Sequence, residues 1–281
     1  MENNITDVQN LATKVRLNVL EMTRSGKSSH IGSVFSISEI LSSLYSGLLN
    51  ISSTNPSDIN RDRFILSKGH AGAGVYSVLA EKGFFSKDLL KTHYQNGSKL
   101  SGHVSHKSIP GVEFSTGSLG HGLPVGVGFA LAAKIDKRDN KVVVLISDGE
   151  CDEGSNWEAI LFSAHHKLNN LILIIDYNKI QSLDYVHKTL SIEPLQDKFN
   201  SFGWKTVSIN GHNIPEIFNS YDIALKSKKP TCIIANTIKG KGVSFMEEKV
   251  LWHYRFPQGE EFNMARDELN KQLIGSKNEK L

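Results

Sequence analysis

The sequence predicts an α/β fold in which a doubly wound, mostly parallel sheet carries helices on both faces. Short continuous runs of Val, Ile and Leu, such as 142–147 and 171–176, alternate with segments of helical periodicity. Strands that are apolar along their whole length are typical of parallel sheets, because both of their faces are buried. The 281 residues contain no internal repeat and no linker-like stretch. We therefore expect a single domain over residues 1–281.

The first helix is predicted over residues 7–23, where Leu11, Val15 and Val19 recur at helical spacing after the start signal Thr6-Asp7. Gly26 marks its end. The later elements are predicted as a helix at 38–49, a strand at 64–66 followed by a loop and a helix, a long loop at 93–120, a helix at 123–134, a strand at 142–147, a helix at 156–166, strands at 171–176 and 206–209, a helix at 215–225 and a strand at 231–237. The long loop is rich in Gly, Ser and His, and loops of such length are usually functional or disordered.

Composition and charge exclude several classes of function. The formal net charge is +3, from 32 Lys and Arg against 29 Asp and Glu, and the two signs are interspersed. Nucleic acid and membrane are therefore not expected as partners. The apolar runs are far shorter than the roughly 20 residues of a membrane-spanning helix, and the N-terminus lacks the plan of a signal peptide. Cys151 and Cys232 suit a reducing compartment, so we expect a cytoplasmic protein.

Polar residues follow three of the predicted strands, at 67–70, 147–150 and 176–178. In doubly wound folds, ligands collect at the carboxyl ends of the strands. Asp148 and Asn178 are separated by the length of one helical crossover, so their side chains can converge on one hard cation such as Mg²⁺. Gly149, which has no Cβ, would let a diphosphate approach the backbone. Alternatively, Asp148 caps a helix and Asn178 sits in a turn, and the spacing alone is compatible with both interpretations.

The run from Ser147-Asp148-Gly149 to Asn178-Lys179-Ile180 resembles the thiamine-diphosphate signature, which begins Gly-Asp-Gly and ends in Asn after a similar crossover. Ser147 stands where the signature has its first glycine, whereas the Asp and the second Gly remain. The signature by itself fits many thiamine-diphosphate enzymes, including 2-oxoacid dehydrogenases.

Motifs spread over about residues 10–260 resemble those of the transketolase family in order and spacing. They are Ser29-His30-Ile31-Gly32-Ser33, Leu66-Ser67-Lys68-Gly69-His70-Ala71, Ser101-Gly102-His103, Ser115-Thr116-Gly117-Ser118-Leu119-Gly120, the segment 239–247 and Trp252-His253. The resemblance implies the N-terminal, diphosphate-binding subunit of a split transketolase. Such an enzyme transfers a two-carbon ketol unit from a ketose or its phosphate to an aldose or its phosphate.

The resemblance also implies roles for individual residues. Mg²⁺, or Ca²⁺ or Mn²⁺ in its place, would be bound by Asp148, Asn178 and the carbonyl of Ile180. The cofactor thiamine diphosphate would be bound by His70, Gly117, Ser118, Leu119, Gly149, Glu150, Asn178, Lys239 and His253. The catalytic residues would be His30, His70, His103 and His253, whose imidazoles can move protons and hold hydroxyl groups. Any one of the 11 histidines, taken alone, is more simply explained as a surface or packing residue.

The sequence departs from the family pattern at two places. His121 stands where the family often has glutamine, and it either lies beside the cofactor or caps the next helix. Tyr254 and Arg255 replace the smaller residues that usually follow the histidine. This pair either reshapes the acceptor side of the site or belongs to an ordinary surface loop.

The family places the aminopyrimidine against a second domain, and this chain ends about where that domain should begin. We therefore expect a separate C-terminal, pyrimidine-binding subunit in an α2β2 assembly, with sugar or sugar-phosphate substrates. Glu153 and Glu158 match family carboxylates near the subunit contact, or are plain helix-face charges. Two alternatives are a 2-oxoacid dehydrogenase subunit, which would not need the four histidines, and a cofactor-free scaffold, against which Asp148 and Asn178 argue.

Overall fold

A computed structural model describes residues 2–275 of the chain. Its core is a five-stranded sheet in which every neighbouring pair of strands is parallel, in the order β1-β2-β3-β5-β4. The strands are β1 (Arg63–Leu66), β2 (Val142–Ser147), β3 (Leu171–Tyr177), β4 (Lys205–Asn210) and β5 (Thr231–Asn236). The α-helices are α1 (Glu2–Gly26), α2 (Ile31–Phe35), α3 (Ser38–Ser43), α4 (Gly72–Glu81), α5 (Gly122–Ile135), α6 (Gly154–His165), α7 (Val186–Thr189), α8 (Leu195–Ser201), α9 (Ile214–Lys226) and α10 (Glu260–Asn270). The predicted α/β class with a parallel sheet is confirmed.

Successive residues of each central strand enter two different hydrophobic cores. Val143 and Leu145 of β2 pack with apolar residues of α1, α3, α4 and α9. Val142, Val144 and Ile146 point to the other face and pack with α5, α6 and α8. This division explains why the strand sequences are apolar without interruption, since side chains alternate across a sheet and both faces are covered. The prediction of helices on both faces is therefore confirmed.

The predicted boundaries hold best for the strands, and the structure corrects some of the helices. The first helix begins at Glu2, so the start signal at Thr6-Asp7 was wrong. The helix expected over 38–49 ends at Ser43, and an irregular turn with Gly47 at a φ of 126° follows it. Only glycine adopts such a φ readily, and this backbone conformation at Gly47 prevents the helix from continuing to residue 49. Four short or polar helices, α2, α7, α8 and α10, were not predicted.

The long loop between residues 93 and 121 contains no helix or strand, as predicted. It is nevertheless tied closely to the end of β1. The amide of Val104 donates to the Gly69 carbonyl at 2.9 Å, and a Cβ on Gly69 would lie 2.3 Å from the Thr116 carbonyl oxygen. The Tyr76 hydroxyl donates to the carbonyl of His103 at 3.1 Å. These contacts place His103 beside the exit of β1.

None of the helices within residues 2–275 is both long enough and apolar enough to cross a bilayer.

Candidate active site

A cavity opens at the carboxyl edge of the sheet, where β1, β2, β3 and β5 end, and we call it the strand-end cavity. Its lining comes from these four strand exits and from three further segments around residues 30, 103–119 and 253. The lining residues are His30, Ser33, Lys68, His70, His103, Gly117, Leu119, Ser147, Asp148, Gly149, Asn178, Ile180, Gln181, Ser182, Lys239, His253 and Tyr254. The cavity lies where the sequence predicted a ligand, because parallel strands bring their carboxyl ends to one edge.

A fully buried ion pair, Lys68–Asp176, lies at the cavity, which Lys68 lines. The ammonium of Lys68 lies 2.5 Å from the Asp176 carboxylate and also donates to the Ser33 carbonyl at 3.0 Å. The hydroxyls of Ser36 and Thr237 donate to the same carboxylate. Burial alone would raise the pKa of Asp176, but the charge of Lys68 and these hydrogen bonds hold it below its ordinary value. The sequence analysis did not single out this pair.

We expect Lys68→Met to lower the free energy of unfolding by about 3–5 kcal/mol, because it leaves a buried carboxylate without its partner. Denaturant unfolding of the purified chain measures this loss. The matched control is Lys91→Met, which removes the lysine of the exposed pair Lys91–Asp88 and should change stability little. Equal losses in the two variants would contradict a structural role for the buried pair.

Asp148 presents a buried carboxylate at the cavity wall. It accepts hydrogen bonds from the Gly149 amide at 2.7 Å and from the Lys179 amide at 2.6 Å. Burial, followed by the negative charge of Asp176, raises the pKa of Asp148 to about 7 despite these amides. A carboxylate in this position is short of positive charge, which a bound divalent cation would supply.

Asn178 lies beside Asp148 on the neighbouring strand exit, and the fold fixes its amide. The side-chain nitrogen donates to Asp176 at 2.9 Å, and the side-chain oxygen accepts from the Ile180 amide at 3.1 Å. The carbonyl of Ile180, predicted as a metal ligand, accepts a hydrogen bond from the Lys239 ammonium at 3.1 Å. A metal ion at this carbonyl would share the oxygen with Lys239 or displace it.

The oxygens gathered here fit a hard divalent ion. A carboxylate, a side-chain amide and a main-chain carbonyl are ligands that Mg²⁺ accepts together with phosphate oxygens. Within residues 2–275, no three His, Cys, Asp or Glu side chains form a metal-binding group. The three oxygens of Asp148, Asn178 and Ile180 fill only about half of the octahedral shell of Mg²⁺, so phosphate oxygens or waters would supply the rest.

The four histidines predicted from the motifs converge on the cavity. The ring of His30 is central, with centroid distances of 5.1 Å to His70, 5.9 Å to His103 and 5.0 Å to His253. His70 and His253 are 5.9 Å apart. These residues come from four separate segments of the chain, so their convergence is a property of the fold.

The environment keeps three of these imidazoles neutral. Burial, followed by the charges of His103 and Lys239, lowers the pKa of His30 to about 4. Burial, followed by the charge of Lys239, lowers the pKa of His253 to about 3. Burial and the charge of Lys68 lower the pKa of His70 well below its ordinary value. At neutral pH each of these rings has one nitrogen that donates and one that accepts a proton.

Lys239 places a second buried cation at the cavity. Its ammonium lies 2.7 Å from His253 Nδ1 and donates to the carbonyls of Ile180 and Gln181. The ammonium can only donate, so His253 Nδ1 accepts and the ring proton lies on Nε2. Burial, followed by the charge of Lys68, lowers the pKa of Lys239 to about 8, so it is still largely protonated at pH 7. A cation beside Asp148 and Asn178 suits an anionic ligand such as a diphosphate.

Two predicted cofactor-binding residues, Glu150 and Ser118, lie outside the lining of the cavity, and so does His121. Glu150 is fully buried and accepts from the Ser67 hydroxyl and from the Gly120 amide, so it braces the strand exits instead of lining the cavity. Ser118 is exposed and lies outside the lining, although its neighbours Gly117 and Leu119 belong to it. His121 occupies the N-cap position of α5, but its side chain forms no capping hydrogen bond and instead contacts the Leu119 carbonyl at 2.9 Å. It is exposed and lies outside the lining, and its place beside the cofactor stays a prediction.

The sequence left open whether Tyr254 and Arg255 contribute to the site or belong to a surface loop. The structure gives a different answer for each residue. Tyr254 lines the cavity, with its ring centroid 4.6 Å from that of His253. Arg255 turns away and forms two hydrogen bonds of 2.7 Å with the Glu261 carboxylate. Glu153 and Glu158 are both exposed near α6, where their part in a subunit contact stays a prediction.

Comparison with known proteins gives a consistent result. The sequence model of a family described as transketolase, thiamine diphosphate binding domain, matches residues 8–269. One of the subunits of the apulose-4-phosphate transketolase of Phocaeicola vulgatus is 40% identical, with 92% of each chain covered. The 6-deoxy-6-sulfo-D-fructose transketolase subunit SqwG of a Clostridium species is 41% identical, with 95% of this chain and 97% of the relative covered.

Solved structures agree with these relatives. The transketolase of Campylobacter jejuni superposes with a TM-score of 0.88 at 36% identity over 94% of this chain. The matched region is 42% of that longer chain. The chain therefore spans nearly the whole length of the two subunit relatives and less than half of the C. jejuni transketolase.

Proposed function

The chain belongs to the transketolase thiamine-diphosphate-binding-domain family, and from this premise we propose that it is the diphosphate-binding subunit of a split transketolase. The observation that carries the proposal is the strand-end cavity, in which four histidines meet Asp148, Asn178 and Lys239. The related proteins that match over nearly their full length are named as transketolase subunits. A 2-oxoacid dehydrogenase subunit is not favoured by any of these matches.

Asp148, Asn178 and the Ile180 carbonyl would hold Mg²⁺, and Lys239, His70 and His253 would hold the diphosphate. When bound, thiamine diphosphate supplies the nucleophilic carbon and the electron sink for cleavage of the carbon–carbon bond. Gly117 and Leu119 also line the cavity, and their backbone groups would meet the aminopyrimidine.

The histidines supply proton transfer and hydroxyl recognition. His30 and His253 are neutral near pH 7. His30 can accept a proton from a substrate hydroxyl at Nε2 when Nδ1 carries the ring proton, whereas His253 offers its Nε2–H as a hydrogen-bond donor because its Nδ1 accepts from Lys239. Ser29 Oγ contacts His30 Nδ1 at 2.7 Å, which orients the ring so that Nε2 is its free nitrogen. Lys239 orients His253 in the same way. Each of the two imidazoles is therefore held through Nδ1, which leaves Nε2 available on the cavity side.

The remaining parts of the proposal concern the assembly. The active enzyme would pair this chain with a separate pyrimidine-binding subunit as an α2β2 cytoplasmic complex. Its substrates would be ketoses and aldoses or their phosphates, as the names of the subunit relatives suggest.

The test is a two-carbon transfer assay with the purified chain, its pyrimidine-binding subunit, thiamine diphosphate and Mg²⁺. We expect ketose cleavage that depends on an aldose acceptor, detected by mass spectrometry of the lengthened sugar. Oxidative decarboxylation of a 2-oxoacid without ketol transfer would contradict the proposal. A ketose labelled in its two transferred carbons distinguishes the two reactions, because mass spectrometry finds the label in the lengthened sugar only after ketol transfer.

A further inference from the structure

Tyr254 is part of the wall of the strand-end cavity and is held between two of its histidines. Its ring centroid lies 5.6 Å from that of His30, at an interplanar angle of 70°. The distance to His253 is 4.6 Å at 59°. The backbone is fixed as well, because the His30 amide donates to the His253 carbonyl at 2.8 Å. The ring therefore has a defined place on the wall even though 64% of the residue is exposed.

The neighbouring arginine adds no charge to this wall. Both hydrogen bonds of Arg255 go to Glu261, and its guanidinium carbon lies 5.2 Å from the centre of the Trp252 ring. The ion pair and the aromatic contact hold Arg255 on the outer side of the segment. What the pair contributes to the cavity is the bulk of an aromatic ring.

Every ketose donor carries the same transferred two-carbon group, so only the rest of its chain distinguishes one donor from another. That remainder must extend away from the histidines, towards the mouth of the cavity. Tyr254 is the bulkiest side chain among the lining residues and is much more exposed than the buried His253 next to it. Its ring therefore limits the room available to the part of the substrate that varies.

We propose that Tyr254 is a specificity-determining residue, whose ring restricts the length of the ketose chain beyond the transferred unit. This inference rests on the proposed function of the cavity. The ring acts by occupying space, so replacement by glycine should relax the restriction and replacement by phenylalanine should keep it.

The test compares kcat/KM for fructose 6-phosphate with kcat/KM for erythrulose 4-phosphate in the complex with the pyrimidine-binding subunit. We expect Tyr254→Gly to raise this six-to-four-carbon ratio by at least about tenfold, the lower end of the discrimination that one methylene group gives in a pocket. Tyr254→Phe should stay within about twofold of wild type. Arg255→Ala is the matched control at the adjacent position and should leave the ratio unchanged.

A second readout needs no turnover. Calorimetry with the six- and four-carbon alditol phosphates, which lack the reactive carbonyl, gives the ratio of their Kd values in each variant. We expect Tyr254→Gly to shift this ratio towards the longer ligand by a similar factor. Because each ratio is taken within one variant, a general loss of folded protein or of partner binding cancels.

The outcomes separate this inference from the proposed function. An unchanged or lowered ratio in Tyr254→Gly overturns the inference while wild-type ketol transfer still stands. A Tyr254→Phe ratio that follows Tyr254→Gly also overturns it, because the ring is still present. Failure of the wild-type complex to transfer a ketol unit from any ketose overturns the proposed function, and this inference with it.

Discussion

Replacing Asp148 by asparagine is expected to lower kcat/KM for ketol transfer by about a thousandfold, on the premise that loss of the metal removes about 4 kcal/mol of stabilisation. Asn preserves the size of the side chain, but it brings no charge for the cation. Its single oxygen can accept from only one of the Gly149 and Lys179 amides, which donate to different oxygens of Asp148. We expect thiamine diphosphate with Mg²⁺ to raise the melting temperature of the wild type, and the same variant should lose this rise.

The pH dependence of the free energy of unfolding of the metal-free chain gives a second test of the role of Asp148. The pKa of the buried Asp148 carboxyl is raised to about 7 from its ordinary value of 3.8. The folded state therefore binds the proton more tightly than the unfolded state, and stability is lost as pH rises from about 4 to about 7. At 1.36 kcal/mol per pKa unit, the loss is of the order of 4 kcal/mol above pH 7. Asp148→Asn should be free of this pH dependence, so its unfolding midpoint should change less between pH 4 and pH 8 than that of the wild type.

Asp152→Asn is the matched control for both measurements. Asp152 lies in the same turn, is exposed, and accepts a hydrogen bond from the Gln181 side chain. We expect it to retain the cofactor-dependent rise in melting temperature. A wild-type-like rise in Asp148→Asn would show that the cation is bound elsewhere.

Omission of the pyrimidine-binding subunit is expected to reduce turnover by at least about a thousandfold, the range seen when one required catalytic group is missing. Asp148 is the only carboxylate among the lining residues in the described part of the chain. If it is committed to the metal, the cavity has no second acid to activate the cofactor. Tyr254 lines the cavity and is largely exposed, so the isolated chain leaves this part of the cavity open to water.

The measurement is a titration of this chain with the partner at fixed cofactor and Mg²⁺. Activity should rise and saturate at one partner per chain, and the partner alone should be inactive. Turnover by the isolated chain at the rate of the mixture would contradict the division of the site between two polypeptides.

The strands were predictable because their physical signal is local. β2 was predicted to the residue, and β3 and β5 to within one, since uninterrupted β-branched and apolar runs specify a strand buried on both faces. The helix α10 was missed because its interior is largely charged and only Phe262, Ala265 and Leu269 are buried. Its position is determined by packing against α1, which sequence periodicity does not reveal.

The sequence motifs identified which residues meet at the candidate site. They did not reveal the orientation of each side chain. The convergence of His30, His70, His103 and His253 followed from the motifs. The orientation of Glu150 did not, because the turn after β2 directs it back to Ser67 and Gly120. Lys68 and Asp176 offered one unused signal, a charged residue at the end of an apolar strand, which a protein buries only with a partner.

The attachment of the 93–121 loop to β1 affects how the protein meets its ligands. Glycine at position 69 lets the Thr116 carbonyl approach so closely that no other residue fits, and Val104 is bonded to the same glycine. The parts of the loop near Val104 and Thr116 are therefore ordered when the domain folds, and ligand binding does not have to offset the entropy cost of ordering them. Because His103 and Gly117 are held in place in this way, the rest of the loop can change in sequence and length without moving them.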